Sequence, residues 1–332
     1  MISARLSRIR ILKVALIALL LFACVSITVT STACMQTTWK TLEREADGTT
    51  HSDGLRVLAS IFAPYDFARE ILGGIGEVRM LVPPGVEVHS FEPTARDIIA
   101  LQQSDVFVYV GGESDEWIER ILESMDTSKI RLIRLVDCVD LLDEIEFDAQ
   151  SDPHKDNSFD EHVWTNPLNA IRIVQQLVSV FSTADADHAD VYYRNGVSYS
   201  AKLEALDSRF RDIVATSNRT TLVFGDRFPF RYFADEYGLA SYAAFPGCST
   251  ATEVSAKTMS LLIDTIRAQS IPVVFYVEGP SHRIAEAICE ETGAVALLLH
   301  ACHTISKDDF ASGVTYIDLM EANADNLSRA LR

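Results

Sequence analysis

Pro83-Pro84-Gly85-Val86-Glu87-Val88-His89-Ser90-Phe91-Glu92-Pro93 separates an apolar run, Val78–Val82, from an amphipathic stretch that begins at Thr94. The two prolines fix φ and the glycine frees it, so His89 is expected on a stiff loop between a strand and a helix. A second histidine occupies the matching place in Asp160-Glu161-His162-Val163-Trp164-Thr165-Asn166-Pro167. One loop histidine is ordinarily a surface residue. Two, at matching points of two strand–loop–helix units, suit the presentation of neutral imidazoles to a borderline metal such as zinc.

Around that stretch, strand-like runs fall at Arg56–Phe62, Val78–Val82, Val106–Val110 and Ile130–Val136. Amphipathic helical stretches lie between them, at about Pro64–Leu72, Thr94–Gln102 and Glu116–Met125. That alternation predicts βαβ units on a mostly parallel sheet. It restarts at Thr220–Phe224 and continues through Ser241–Phe245, Val273–Val277 and Val295–Leu299. The fold class is therefore α/β, with two lobes, each a mostly parallel four-stranded sheet flanked by helices. From Asp185 to Val214, Leu203, Leu206, Phe210 and Ile213 form one apolar stripe, with Gly196 the one strong helix breaker. About thirty residues at 1.5 Å each predict a connecting helix of about 45 Å, stiff enough to allow only a small closure of the lobes.

The 332-residue chain is 48% hydrophobic, enough for two cores, and its net charge of −18 excludes the basic face a nucleic-acid partner requires. Arg5, Arg8, Arg10 and Lys13 precede an apolar run from Val14, which reads as an export signal. Leu21-Phe22-Ala23-Cys24 fits a lipoprotein cleavage site, and Cys34 in Ser31-Thr32-Ala33-Cys34 competes with it. The expected divisions are a signal and anchor at 1–34, a flexible tether at 35–54, an N-lobe at 55–184, the connecting helix at 185–216 and a C-lobe at 217–332. Cys138 and Cys289 read as small buried hydrophobes; Cys248 and Cys302 sit in turn-rich segments where a bridge can persist outside the membrane. The acidic stretch Asp148 to Glu161, with a single histidine at His154, reads as a solvated loop.

The two histidine motifs, in this order, resemble the N-lobe signatures of the metal-binding lipoproteins that serve ABC importers of zinc and manganese (cluster A-I solute-binding proteins, zinc-uptake branch). The resemblance runs from about Leu55 to the C-terminus and includes Phe230-Arg231-Tyr232-Phe233, Tyr237-Gly238-Leu239 and Glu291-Thr292-Gly293-Ala294. It implies a metal site in the interlobe cleft with two ligands from each lobe, His89 and His162 being the N-lobe pair. The family's third ligand lies three residues before the Phe of a Phe-x-Tyr motif, which here falls on Arg227, a group that cannot ligate a cation. Either the adjacent Asp226 ligates, or Arg227 pairs with Glu278; the pairing is preferred. The fourth slot falls near His303, with His300 and Cys302 beside it. Three imidazoles favour Zn²⁺ over Mn²⁺. The resemblance implies a monomer, tethered to the outer face of the cytoplasmic membrane through lipid on Cys24 or Cys34, which passes its ion to an ABC permease and catalyses nothing. An extracellular zinc-dependent hydrolase and an adhesin-like lipoprotein with a vestigial site are the alternatives.

Overall fold

The described residues of the computed structural model are 54–88, 91–145, 147, 159–247, 249, 253–279 and 281–332. The signal, the tether up to residue 53, Cys24, Cys34, His89, Cys248 and the acidic segment 148–158 lie outside them. Among the described residues no helix is long and apolar enough to cross a membrane.

Both lobes repeat one topology. In the first, β1 (Arg56–Ala59), β2 (Glu77–Met80), β3 (Val106–Tyr109) and β4 (Arg131–Arg134) form a sheet in the order β2-β1-β3-β4. In the second, β5 (Thr221–Phe228), β6 (Ala240–Pro246), β7 (Val273–Tyr276) and β8 (Val295–Leu298) take the order β6-β5-β7-β8. Every strand pair is parallel, so each connection crosses over through a helix or turn and both faces of each sheet are covered. The N-lobe helices are α1 (Phe62–Leu72), α2 (Ala95–Gln103) and α3 (Glu116–Ser124), followed by α4 (Pro167–Ala184). After α5 (Ala189–Ala215), the C-lobe carries α6 (Arg231–Tyr237), α7 (Ala256–Gln269), α8 (Arg283–Thr292), α9 (Lys307–Ala311) and α10 (Tyr316–Leu331).

Successive strand residues point to opposite faces, and here those faces belong to different cores. Val57, Ala59, Val106 and Val108 share one continuous core with Leu222, Phe224, Val273 and Phe275 of the other lobe. The intervening Leu58, Phe107 and Tyr109 pack into an outer N-lobe cluster, and Val223 and Val274 into an outer C-lobe cluster. The lobes are thus joined by buried apolar surface as well as by a helix.

The joining helix differs from expectation at its start. Asp185 accepts a hydrogen bond from Tyr192 Oη at 2.7 Å and lies 2.8 Å from His188 Nδ1. These contacts wind Ala186–His188 into a 3₁₀ turn, and the α-helix begins at Ala189. Its 27 residues span about 40 Å. α5 packs on α1 and α4 from one lobe and on α6 and α10 from the other. Gly196, the suspected breaker, instead lets α4 approach closely: a Cβ there would lie 2.3 Å from Val178 Cγ2. α4 itself escaped the sequence reading, although Asn166 caps it, accepting from Leu168 N–H at 2.8 Å, and Pro167 opens it.

Candidate metal centre

His162 stands immediately before the 3₁₀ turn Val163–Thr165 that leads into α4. Asp160 Oδ1 accepts its backbone N–H at 2.8 Å and lies 3.1 Å from its Nδ1. An ionised carboxylate can only accept, so Nδ1 carries the proton and Nε2 keeps the lone pair that a metal needs. Asp160 is fixed in turn: its N–H donates to Leu142 O at 2.9 Å, and its carbonyl accepts from Tyr232 Oη at 2.7 Å. The Phe-x-Tyr motif therefore serves the other lobe's histidine. Gly247 closes over the pair, since a Cβ there would lie 3.1 Å from both Asp160 Oδ2 and His162 Cε1. Burial, acting alone, would lower the His162 pKa. The charge and hydrogen bond of Asp160 outweigh it, with Glu161 and Glu144 adding to the effect, and the pKa moves above its ordinary 6.5.

Asp160 and Glu161 correct the reading of this stretch as solvated. Both are buried. Glu161 accepts from the Ser114 N–H at 3.0 Å and from its hydroxyl, while Asp115 accepts from Val110 N–H at 2.8 Å and Gly111 N–H at 3.1 Å. Burial, then the nearby charge of Glu161, pushes the Asp115 pKa up to about 7. A carboxyl raised in the folded state stabilises at low pH, and that contribution is lost as pH rises through about 7. Asp115→Asn keeps an oxygen for the two amides and removes the charge. It is expected to stabilise the protein at pH 8, by at most about 4 kcal/mol, and to flatten the rise in melting temperature between pH 8 and 5. Thermal melts across that range check it; an unchanged slope would contradict the assignment.

The second histidine lies in the loop after β8. Glu278, just past β7, organises that loop: its carboxylate accepts from the backbone N–H groups of Ala301 (2.6 Å), His303 (2.9 Å) and Thr304 (3.4 Å). Cys302 takes a left-handed φ of 57° to make the turn and donates its N–H to His300 Nδ1 at 3.0 Å. That bond leaves His300 Nδ1 unprotonated, so its 3.6 Å approach to Glu278 is no ion pair. His300 is buried and holds the loop through reciprocal bonds with Asn323. Cys302 is a free, buried thiol with a pKa raised by burial, so the expected bridge to Cys248 is not formed. Cys138 and Cys289 are also free, half-buried rather than buried.

The ring centroids of His162 and His303 are 5.4 Å apart, and each ring packs against Trp164, at 5.4 and 5.2 Å. With Zn–N bonds of about 2 Å, two imidazoles on one tetrahedral ion would have centroids about 5 Å apart, close to this spacing. Between them lies a cavity of ≈ 30 Å³, about one water's share of volume, lined also by Glu87, Arg227, Gly247 and Glu278. Among the described residues no three His, Cys, Asp or Glu side chains form a metal-binding set.

Arg227 reaches this cavity because the register of β5 against β6 shifts between Phe224 and Arg227, a bulge that re-aims the strand end. It does not pair with Glu278, whose oxygens already accept backbone N–H groups. Its Nε donates to Ser249 O at 2.6 Å instead. Asp226 is not brought to the histidine pair. Its oxygens accept from Arg227 N–H at 2.8 Å and Val277 N–H at 3.2 Å, so it clasps two strand ends beside a neighbouring cavity. The residue the sequence reading passed over is Asp160, whose signal was an acidic side chain two positions before the histidine.

The profile of ZnuA, zinc-uptake complex component A, periplasmic, matches residues 57–330, and the chain belongs to that family. The zinc-binding lipoprotein AdcA of Streptococcus pneumoniae is 26% identical over 292 residues, 86% of this chain and 57% of its own length. The high-affinity zinc uptake system protein ZnuA of Bacillus subtilis is 28% identical over 283 residues, 84% of this chain and 88% of its own. The Zn(II)-bound ZnuA-like domain of S. pneumoniae AdcA superposes with a TM-score of 0.70 at 25% identity, covering 84% of this chain and 99% of that domain. This chain therefore spans little more than half of AdcA.

Proposed function

We propose that this protein captures Zn²⁺ outside the cytoplasmic membrane and delivers it to an ABC permease, acting as a lipid-anchored, monomeric binding protein. The observation that carries the reading is the facing pair His162 and His303, with the Nε2 lone pair of His162 set by Asp160. Imidazole donors favour zinc over manganese, which prefers oxygen. His89 is the proposed third ligand, and Cys24 or Cys34 the proposed lipid attachment site. The names of the zinc-uptake relatives support the choice of ion and of partner. A hydrolase would need a carboxylate at hand to activate a metal-bound water. Of the two glutamates that line the cavity, Glu87 and Glu278, the second is held by backbone amides.

The test is competitive calorimetry of the mature protein with Zn²⁺ and Mn²⁺ as pH is lowered from 8 to 5.5. Zinc is expected to bind more tightly than manganese. Protons compete for the imidazoles, so zinc affinity should begin to fall above pH 6.5, because the His162 pKa is raised. Equal affinities, or a zinc affinity indifferent to pH, would overturn the reading.

A further inference from the structure

Beside the histidine pair lies a second cavity of ≈ 230 Å³, which shares Glu87, Arg227, Val277 and Glu278 with the smaller one. Two guanidinium groups line it, Arg227 from the end of β5 and Arg283 from the first turn of α8. Arg227 is anchored through Nε on Ser249 O, and its two terminal amino groups engage none of the described residues. Arg283 is exposed and makes no ion pair or hydrogen bond among them. Ser281 and Ile284, at the same end of α8, complete that wall, where free backbone N–H groups and the helix dipole favour an anion.

A divalent cation alone does not suit this lining. With Zn²⁺ between the imidazoles, the two arginines raise the local positive charge to four. Glu87, Asp226 and Glu278 also line the cavity, and Asp160 lies 3.1 Å from His162 Nδ1, so four carboxylates stand against these charges. Burial works against ionisation of Asp226, and any loss of its charge leaves the site net positive. A guanidinium fork matches a carboxylate geometrically, and a zinc site with an open position readily takes a carboxylate oxygen. The cavity, ≈ 230 Å³, has room for a small carboxylate such as lactate.

We propose that the ion is taken up as a complex with a small monoanionic carboxylate, one oxygen on the metal and the carboxylate held by Arg227 and Arg283. This rests on the histidine pair being the seat of the ion. The test titrates zinc into the mature protein in a non-coordinating buffer, with and without lactate, correcting for zinc–lactate association in solution. Lactamide, the uncharged analogue, is the control. Lactate is expected to tighten zinc binding roughly tenfold and lactamide not at all. Arg227→Gln and Arg283→Gln should each abolish most of that gain, and Arg227→Lys should retain part of it. Without zinc, lactate should not bind. Because Arg283 is exposed, its variant remains informative should Arg227→Gln fail to fold. Equal zinc affinity with and without lactate overturns the proposal and leaves the histidine site standing. Lactate binding equally well without zinc overturns it too, since the anion would then arrive independently. Loss of zinc binding in every buffer, with His162→Ala indistinguishable from the parent, would instead remove the reading on which the proposal rests.

Discussion

His162→Ala is expected to weaken zinc binding by well over about 100-fold while leaving the apo-protein folded. The lower bound follows from comparison: removing a group that merely orients a metal ligand costs about 10–100-fold, and removing the ligand must cost more. Asp160→Asn supplies that comparison in the same site. The amide can still accept from His162, but it no longer enforces the Nδ1–H tautomer, so its loss should fall within the 10–100-fold band. The backbone around residue 162 is tied independently of the imidazole, since His162 O accepts from Thr165 Oγ1 at 2.9 Å and Asp160 O from Tyr232 Oη at 2.7 Å. Zinc titration with parallel thermal melts reads both quantities. A His162→Ala protein that keeps its affinity removes the histidine from the site, and an Asp160→Asn loss exceeding that of His162→Ala would show that Asp160 itself ligates.

The lobes were legible because period-2 strands and amphipathic helices alternate twice, and each pattern is local. The same locality explains the misreadings. Asp185 reads as the first helical residue because its side-chain contacts with His188 and Tyr192 do not register in an apolar stripe. Asp160 and Glu161 read as solvated because an acidic run ordinarily is. Only tertiary structure supplies the Leu142, Tyr232 and Ser114 groups that accompany them into the core. Arg227 stands out in the sequence, but charge alone pairs it there with Glu278. The structure had already committed Glu278 to three amides, a requirement set by the loop geometry of residues 301–304 rather than by any pattern in the sequence.

Trp164→Ala is expected to cost about 3–5 kcal/mol of stability, lowering the melting temperature by roughly 10 °C, and to weaken zinc binding as well. Trp164 is fully buried where the lobes meet. Its indole N–H donates to Ala301 O at 2.7 Å, and its own carbonyl accepts from Tyr316 Oη at 2.7 Å. Tyr316 N–H in turn donates to Asp66 of α1 at 2.8 Å. One side chain thus joins the loop carrying His162 to the loop carrying His303, and it packs against both imidazoles. Truncation leaves a large cavity and an unmet carbonyl on Ala301 together. Trp164→Phe separates the two effects: it keeps most of the volume and loses only the hydrogen bond, at about 1–3 kcal/mol. Melts of the metal-free proteins order the three variants, and zinc titration shows whether affinity follows the same order. An alanine variant as stable as the parent would mean that the lobes are held by α5 and the shared core alone, with the tryptophan contributing nothing to the junction.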